Sequence, residues 1–556
     1  MRRDLAEKPS SGCDTDTEMR SCTLIVFDNA FALCAQIRLL TGPEFEFSEG
    51  RSMRISSYML LGIGLGLSGC ALEEAPVQDN TDDSVQELTS QTNWFQSARS
   101  PRHTAYNPTE TSLTAARIKG LKVLWQKSLG SKKMADDAEE ASMREAGVAL
   151  GKRVPQVVQQ GSRLFVNSGE MLALSTNGAI LWRSSDAGDK CEKACEKQCD
   201  ATCSAECAKT VPPQCEKDCR RECKPGDKKC ADKCQASCVK EGLKKCEDKC
   251  EDKCTDKCEK TCEQTNELRR LVRAPAYTHG VVYGTGVNGL FALESSNGDV
   301  SDSEKPLGGV TLTNPLTKWW EKGVGSVFVV VRDGARNPAR LRGFDTYSFT
   351  PTFDVALPWV AGPVADPAAA NERVFVSGER TAAFDGRTGA LAWSSPVGFN
   401  GPAGKTGPAV LLGRVIVRSG ATKVAALDEK TGARLWEAST SAAPAGGFAV
   451  TFDRVYVASN SRSGKKSGVS IEAFALGSGA KQFGVFVEGA DLATDLAVAA
   501  DVLYFGTENG TLNALSSASG AFLTSKKLSG KPSTPAIANG RLYVATDDDK
   551  VFALGL

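Results

Sequence analysis

Residues 414–436 read RVIVRSGATKVAALDEKTGARLW: an apolar strand, a polar turn, a second apolar strand closing on Ala-Leu-Asp, then a Thr-Gly turn and a tryptophan. The pattern recurs. Its first strands are RLFV (163–166), VVYG (281–284), VFVVV (327–331), RVFV (373–376), RVIV (414–417), RVYV (454–457), VLYF (502–505) and RLYV (541–544). The matching second strands are MLALS, LFALE, LRGFD, TAAFD, VAALD, IEAFA, LNALS and VFALG. Apart from one insertion, the units recur every roughly 40–50 residues, and a period of that length with several strands per unit predicts a β-propeller.

Several units run on into a turn and a tryptophan: NGAILW (177–182), TGALAW (388–393) and TGARLW (431–436). The glycine gives the backbone freedom of a tight turn. The tryptophan then falls on the outermost strand, where a large flat ring packs between neighbouring blades. Other units carry SGAKQF (478–483) and SGAFLT (519–524), and the second has NGDV with no tryptophan. The last unit ends at Leu556 without room for an outer strand, while Leu121-Lys122-Val123-Leu124-Trp125 stands alone before the first unit. A ring closed by the N-terminal strand joining the C-terminal blade explains both and removes an open sheet edge. The expected fold is all-β, an eight-bladed propeller of four-stranded blades, with a long turn in blade 3 at 331–341.

At this point the chain resembles the tryptophan-docking propellers of the PQQ-like repeat family. The resemblance rests on these repeats, on Trp125, Trp182, Trp393 and Trp436 as docking residues, and on the lead-in WFQSARSPRHTAYNP (94–108). It covers roughly residues 91–190 and 267–556. In layout (lipidated N-terminus, short linker, ring, no further domain) it is similar to the BamB-like outer-membrane assembly lipoproteins. The family also includes quinoprotein dehydrogenases, so it implies a fold more firmly than an activity.

Residues 53–70, MRISSYMLLGIGLGLSGC, carry a positive start, an apolar stretch from Tyr58 to Leu67 too short to span comfortably, and the lipobox-like Leu67-Ser68-Gly69-Cys70. The expected organisation is a misassigned or disordered extension at 1–52 preceding the natural start at Met53, and a lipoprotein signal peptide at 53–69. Then come lipidation at Cys70, a polar tether at 70–93, and the propeller at 94–190 and 267–556 around an insertion at 191–262. Such an anchor implies a bacterial outer-membrane protein in an oxidising space, on the periplasmic or surface face. With 67 basic and 67 acidic residues the net charge is zero, which argues against nucleic acid as partner.

Sixteen of the twenty cysteines lie between 191 and 262, nearly all four residues apart among helix-forming Lys, Glu, Asp and Ala. Larger apolar residues are nearly absent, so the segment needs staples. The positions mirror each other about the turn Lys224-Pro225-Gly226-Asp227, and both arms skip one step, at Val211 and Gly242. An antiparallel helical hairpin would then pair Cys191–Cys262, Cys195–Cys258, Cys199–Cys254, Cys203–Cys250, Cys207–Cys246, Cys215–Cys238, Cys219–Cys234 and Cys223–Cys230. Pro212-Pro213 is expected to kink or break the first arm. The spacing also falls within the range of thiolate metal sites, which leaves a metal-binding or redox arm as an alternative.

Blade connections alternate between the two faces of a ring. The insertion, the segment 130–153 and the turns 332–340 and 460–468 therefore emerge on one face, expected to face a partner. A quinoprotein would need a quinone pocket, calcium and a catalytic carboxylate. Yet the chain has no adjacent cysteine pair and no cysteine in its repeats. Asp345, Asp385 and Asp428 read as turn acceptors, and Asp547-Asp548-Asp549 lack calcium-loop spacing. His103 and His279, the two histidines, read as packing or hydrogen-bonding residues. The sequence therefore points to a non-catalytic scaffold with no catalytic, cofactor or metal residues. It would bind a protein or envelope polymer, touch the membrane only through its lipid, and act as a monomer or within a larger complex. PQQ with calcium, in an oxidoreductase, is the alternative.

Overall fold

Each pair of apolar runs becomes the two middle strands of a four-stranded antiparallel blade, buried on both sides, which is why they show no polar alternation. A computed structural model describes residues 93–556 except 95, 97, 131–153, 185, 269–272, 287–288, 321–322, 335, 360–361 and 400–406, and omits side chains at 186–194, 258–268 and 300–304. All of it falls in the unit Ala75–Leu556. Blade 5 shows the plan: Ala409–Leu411, Arg414–Arg418, Lys423–Asp428 and Arg434–Ser439, paired in chain order from axis to rim. Innermost strands are short and alanine-rich, as in Ala368–Ala370, Ala497–Ala499 and Ala536–Ala538, because eight of them must converge on one axis.

Eight such blades form the ring, blade 7 being joined by a fifth, parallel strand, Tyr106–Asn107, beside Ala497–Ala499. Blade 8 holds Ala536–Ala538, Arg541–Thr546 and Lys550–Gly555, and its rim strand is Lys122–Ser128, antiparallel to Lys550–Gly555 with Trp125 opposite Ala553. The two ends of the ring thus share one blade. In blade 3 the inner position is split, Val310–Thr311 and Leu316–Trp320 both pairing with Val324–Arg332. The apolar core is divided among the blade interfaces. One cluster joins blades 4 and 5 through Phe375, Trp393, Val415 and Leu427, another joins blades 5 and 6 through Ile416, Trp436, Val455 and Phe474, and the largest runs across blades 7, 8 and 1.

Between blades 1 and 2 rise helices α1 (Asp186–Glu222) and α2 (Lys228–Leu268). At 1.5 Å per residue they reach about 55–60 Å. The turn between them is closed by Asp227, whose N–H donates to the Lys224 carbonyl and whose carboxylate accepts the Cys230 N–H. The prolines do not break the arm: α1 continues through Pro212 and Pro213. Disulfides at Cys207–Cys246 and Cys215–Cys238 hold the helix on either side, offsetting the donors the prolines lack.

Candidate functional site

The repeat motif builds a dock between blades. In blade 4 the Trp393 ring lies over Gly432 of blade 5, and its Nε1 donates to the Glu429 carbonyl at 2.9 Å. Trp436 covers Gly479 and donates to Leu476 O at 2.8 Å. Trp182 covers Gly298 and donates to Ser295 O at 3.0 Å, and Trp125 covers Gly178 and donates to Thr176 O at 2.9 Å. Every glycine has positive φ, and a Cβ at Gly432 would meet Trp393 at 2.5 Å, so both backbone and space require glycine. Phe353 over Gly389 and Phe483 over Gly520 make the same dock with a smaller ring. The ring is aimed sideways by a β-bulge: Leu435 is the extra residue before Trp436, as Leu181, Ala392, Gln482 and Leu124 are before their aromatics. Blade 2 offers no aromatic, and there Phe349 of blade 3 stands at the glycine position with φ 51 and fills the slot against Tyr283. Asp428 completes the turn by accepting the N–H groups of Lys430 and Thr431 and the Thr431 hydroxyl, which hold its carboxyl below the usual range against the effect of burial. Asp385 and Asp345 accept the same set in their own turns.

The lead-in coils round the axis of the ring and visits most blades in turn. Trp94 exchanges two backbone bonds with Gln159 of blade 1, and the Thr317 N–H of blade 3 donates to Gln96 Oε1. Ala369, Val410, Val450 and Val498, on the inner strands of blades 4 to 7, donate to the carbonyls of Pro101, Arg102, Thr104 and Ala105 at 2.7–2.8 Å. Asn107 Nδ2 donates to Ile537 O of blade 8 at 2.8 Å. To coil this tightly, Ala98, Arg99, His103 and Ala105 adopt positive φ. His103 is buried here, and burial lowers its imidazole to about 4 although Asp495 pulls it up. The sequence marked this segment only as a lead-in. No residue type announces its path, because most of the bonds run through backbone.

The connections sort the two faces. Turns between second and third strands and all blade-to-blade connections share what we term the arm face, since α1 and α2 stand on it. First-to-second and third-to-fourth turns form the turn face. The ten-residue strands Arg454–Ser463 and Lys466–Ala475 project a hairpin on the arm face. Beside it lies a cavity of about 690 Å³ lined by Ser441, Asn460, Arg462, Ser467, Asp491 and Glu508. Asn93 is at the turn face, accepting the Gly161 N–H in the first turn of blade 1.

On the arm, Cys199–Cys254, Cys203–Cys250, Cys207–Cys246, Cys215–Cys238, Cys219–Cys234 and Cys223–Cys230 are disulfides with Cα atoms 5.6–5.9 Å apart. Cys195 is also disulfide-bonded. The side chains of Cys191, Cys258 and Cys262, and the whole of Cys70, lie outside what the structure describes. At the skipped step, Val211 faces Gly242, where an added Cβ would sit 2.7 Å from Val211 Cγ1. Among the described residues no group of three His, Cys, Asp or Glu is placed to hold a metal. Asp548 accepts from Lys550 and Thr546, which, against burial, hold its carboxyl down to about 2, and Asp549 accepts from Ser168. His279 stacks on Trp319 with ring centroids 3.6 Å apart.

A sequence family described as the outer membrane protein assembly factor BamB matches residues 317–473 and 467–555. No curated protein matches the chain by sequence. Among solved structures, BamB from Moraxella catarrhalis is 15% identical, covering 78% of this chain and 98% of its own, with a TM-score of 0.48. A europium-containing methanol dehydrogenase is 10% identical, covering 85% of this chain and 100% of its own, with a TM-score of 0.54. A quinohemoprotein alcohol dehydrogenase from Comamonas testosteroni is 12% identical, covering 85% and 82%, with a TM-score of 0.51. At such identity these likenesses speak to fold alone. By its repeats and its closed ring of docked blades, the chain is a PQQ-like β-propeller repeat protein, BamB-like.

Proposed function

We propose that this protein is a non-catalytic cell-envelope lipoprotein, anchored through Cys70 at the outer membrane, whose ring is a rigid platform for a protein or envelope-polymer partner. The observation that carries the reading is the one-sided elaboration of the ring. The arm, the Arg454–Ala475 hairpin and the polar cavity beside it share one face. The opposite face carries Asn93, from which the chain leads back toward Cys70.

A quinone with calcium, in an oxidoreductase, is the second reading. Weighing against it, the inner strands of blades 4 to 7 already spend backbone donors on the lead-in. A partner pull-down from envelopes, comparing intact protein with one lacking residues 188–265, tests the reading. Loss of partners is expected, and an unchanged set removes the arm from the account. Addition of PQQ and calcium should produce neither a bound chromophore nor dye reduction, whereas either would restore the oxidoreductase reading.

A further inference from the structure

Eight large apolar side chains are markedly exposed among the described residues: Val123, Leu124, Leu181, Val324, Tyr347, Leu391, Leu435 and Phe522. One exposed leucine means little. Their placement does mean something, because all eight sit toward the turn face. Leu181, Leu391, Leu435 and Phe522 are the first or second residues of rim strands, and Val123 and Leu124 are the second and third of theirs. Rim strands begin at the turn face. Val324 opens the second strand of blade 3, and Tyr347 lies in that blade's third-to-fourth turn. Tyr347, 68% exposed, packs edge-on against Trp319, which carries the His279 ring on its other contact. The arm face has no such residue among those described.

We propose that the turn face is a lipid-facing side, on which this discontinuous apolar skirt and the Tyr347–Trp319 pair rest against the bilayer interface. The inference rests on the reading of Cys70 as the anchor. Cys70 and Asn93 are 23 positions apart (93 − 70), and Asn93 is on this face. Read from its polar sequence as a tether, a chain of that length has a root-mean-square span of about 25–30 Å. The bilayer is thus held at high effective concentration, so weak contacts suffice to orient the ring. Tyrosine and tryptophan suit that boundary, having an apolar body and a polar tip. Seating the turn face on lipid points the arm away from the membrane.

The test uses lipidated protein in phosphatidylethanolamine–phosphatidylglycerol vesicles that contain a lipid with a photoactivatable acyl chain. Peptides bearing lipid adducts are then mapped by mass spectrometry. Adducts are expected on peptides holding Leu181, Tyr347, Leu391, Leu435 and Phe522. The combined variant Leu391→Asn, Leu435→Asn and Phe522→Asn should lose those at its own sites while keeping its circular dichroism. Adducts on the arm, or a skirt labelled no more than the arm, would overturn the proposal. The mass of the N-terminal peptide separates the two readings. Without acyl chains the anchor and the seating fall together; with acyl chains and an unlabelled skirt, only the seating falls.

Discussion

At the scale of single residues, stability is concentrated in the docks. Trp436→Ala removes a buried ring and its bond to Leu476 O, and should cost about 3–5 kcal/mol in urea unfolding. Gly432→Ala should cost at least about 1 kcal/mol from φ alone, and more because its Cβ meets Trp393. A loss in either variant no larger than that of an exposed rim substitution would contradict the dock. His103 gives a pH signature. Its folded value of about 4 lies below the ordinary 6.5, so between those pH values the unfolded chain takes up a proton the fold refuses. Stability should therefore fall as pH drops from about 6.5 to 4, by on the order of 3 kcal/mol. Asp428, held below the usual carboxylate range, loses its contribution only at lower pH. His103→Asn tolerates the φ of 54 and should flatten the slope in urea midpoints measured against pH. The tryptophan docks were legible because Gly and Trp recur four residues apart. Phe353 and Phe349 were not, since blade 3 fills both positions with phenylalanine, and only counting from Asp345 aligns them.

At the scale of elements, the arm was the most readable part. Its pairing follows from symmetry: each described disulfide joins positions summing to 453. Val211 and Gly242 sum to the same value, and the missing glycine side chain makes room for the valine. Val211→Cys with Gly242→Cys should therefore close a further disulfide, seen as a mass two hydrogens lighter with no added free thiol. Two free thiols in the oxidised protein would show that the arms are out of register there. The break allowed for at the proline pair does not occur, because propensity is a local quantity, whereas the cross-links that override it are not. The lead-in was opaque for another reason. Its role is carried mostly by carbonyls that any residue possesses, and its positive φ values fall on Ala98, Arg99, His103 and Ala105 rather than on glycine.

At the scale of the whole molecule, closure and polarity are linked. Joining Lys122–Ser128 to Lys550–Gly555 fixes where the N-terminal chain meets the ring, and strand alternation then fixes which connections share a face with the arm. Period and strand count revealed the ring and its closing strand. The grouping of apolar side chains at the turn face was hidden, because Leu435 and Leu427 look alike until the bulge sends one outward. On this reading the arm face is the working face of the ring. Cross-linking mass spectrometry on whole envelopes tests it most directly, comparing cells that make the intact chain with cells that make it without residues 188–265. Partner cross-links are expected at the arm and at residues 460–468, and they should disappear on deletion. Partner cross-links spread over the turn face and unaffected by the deletion would contradict it.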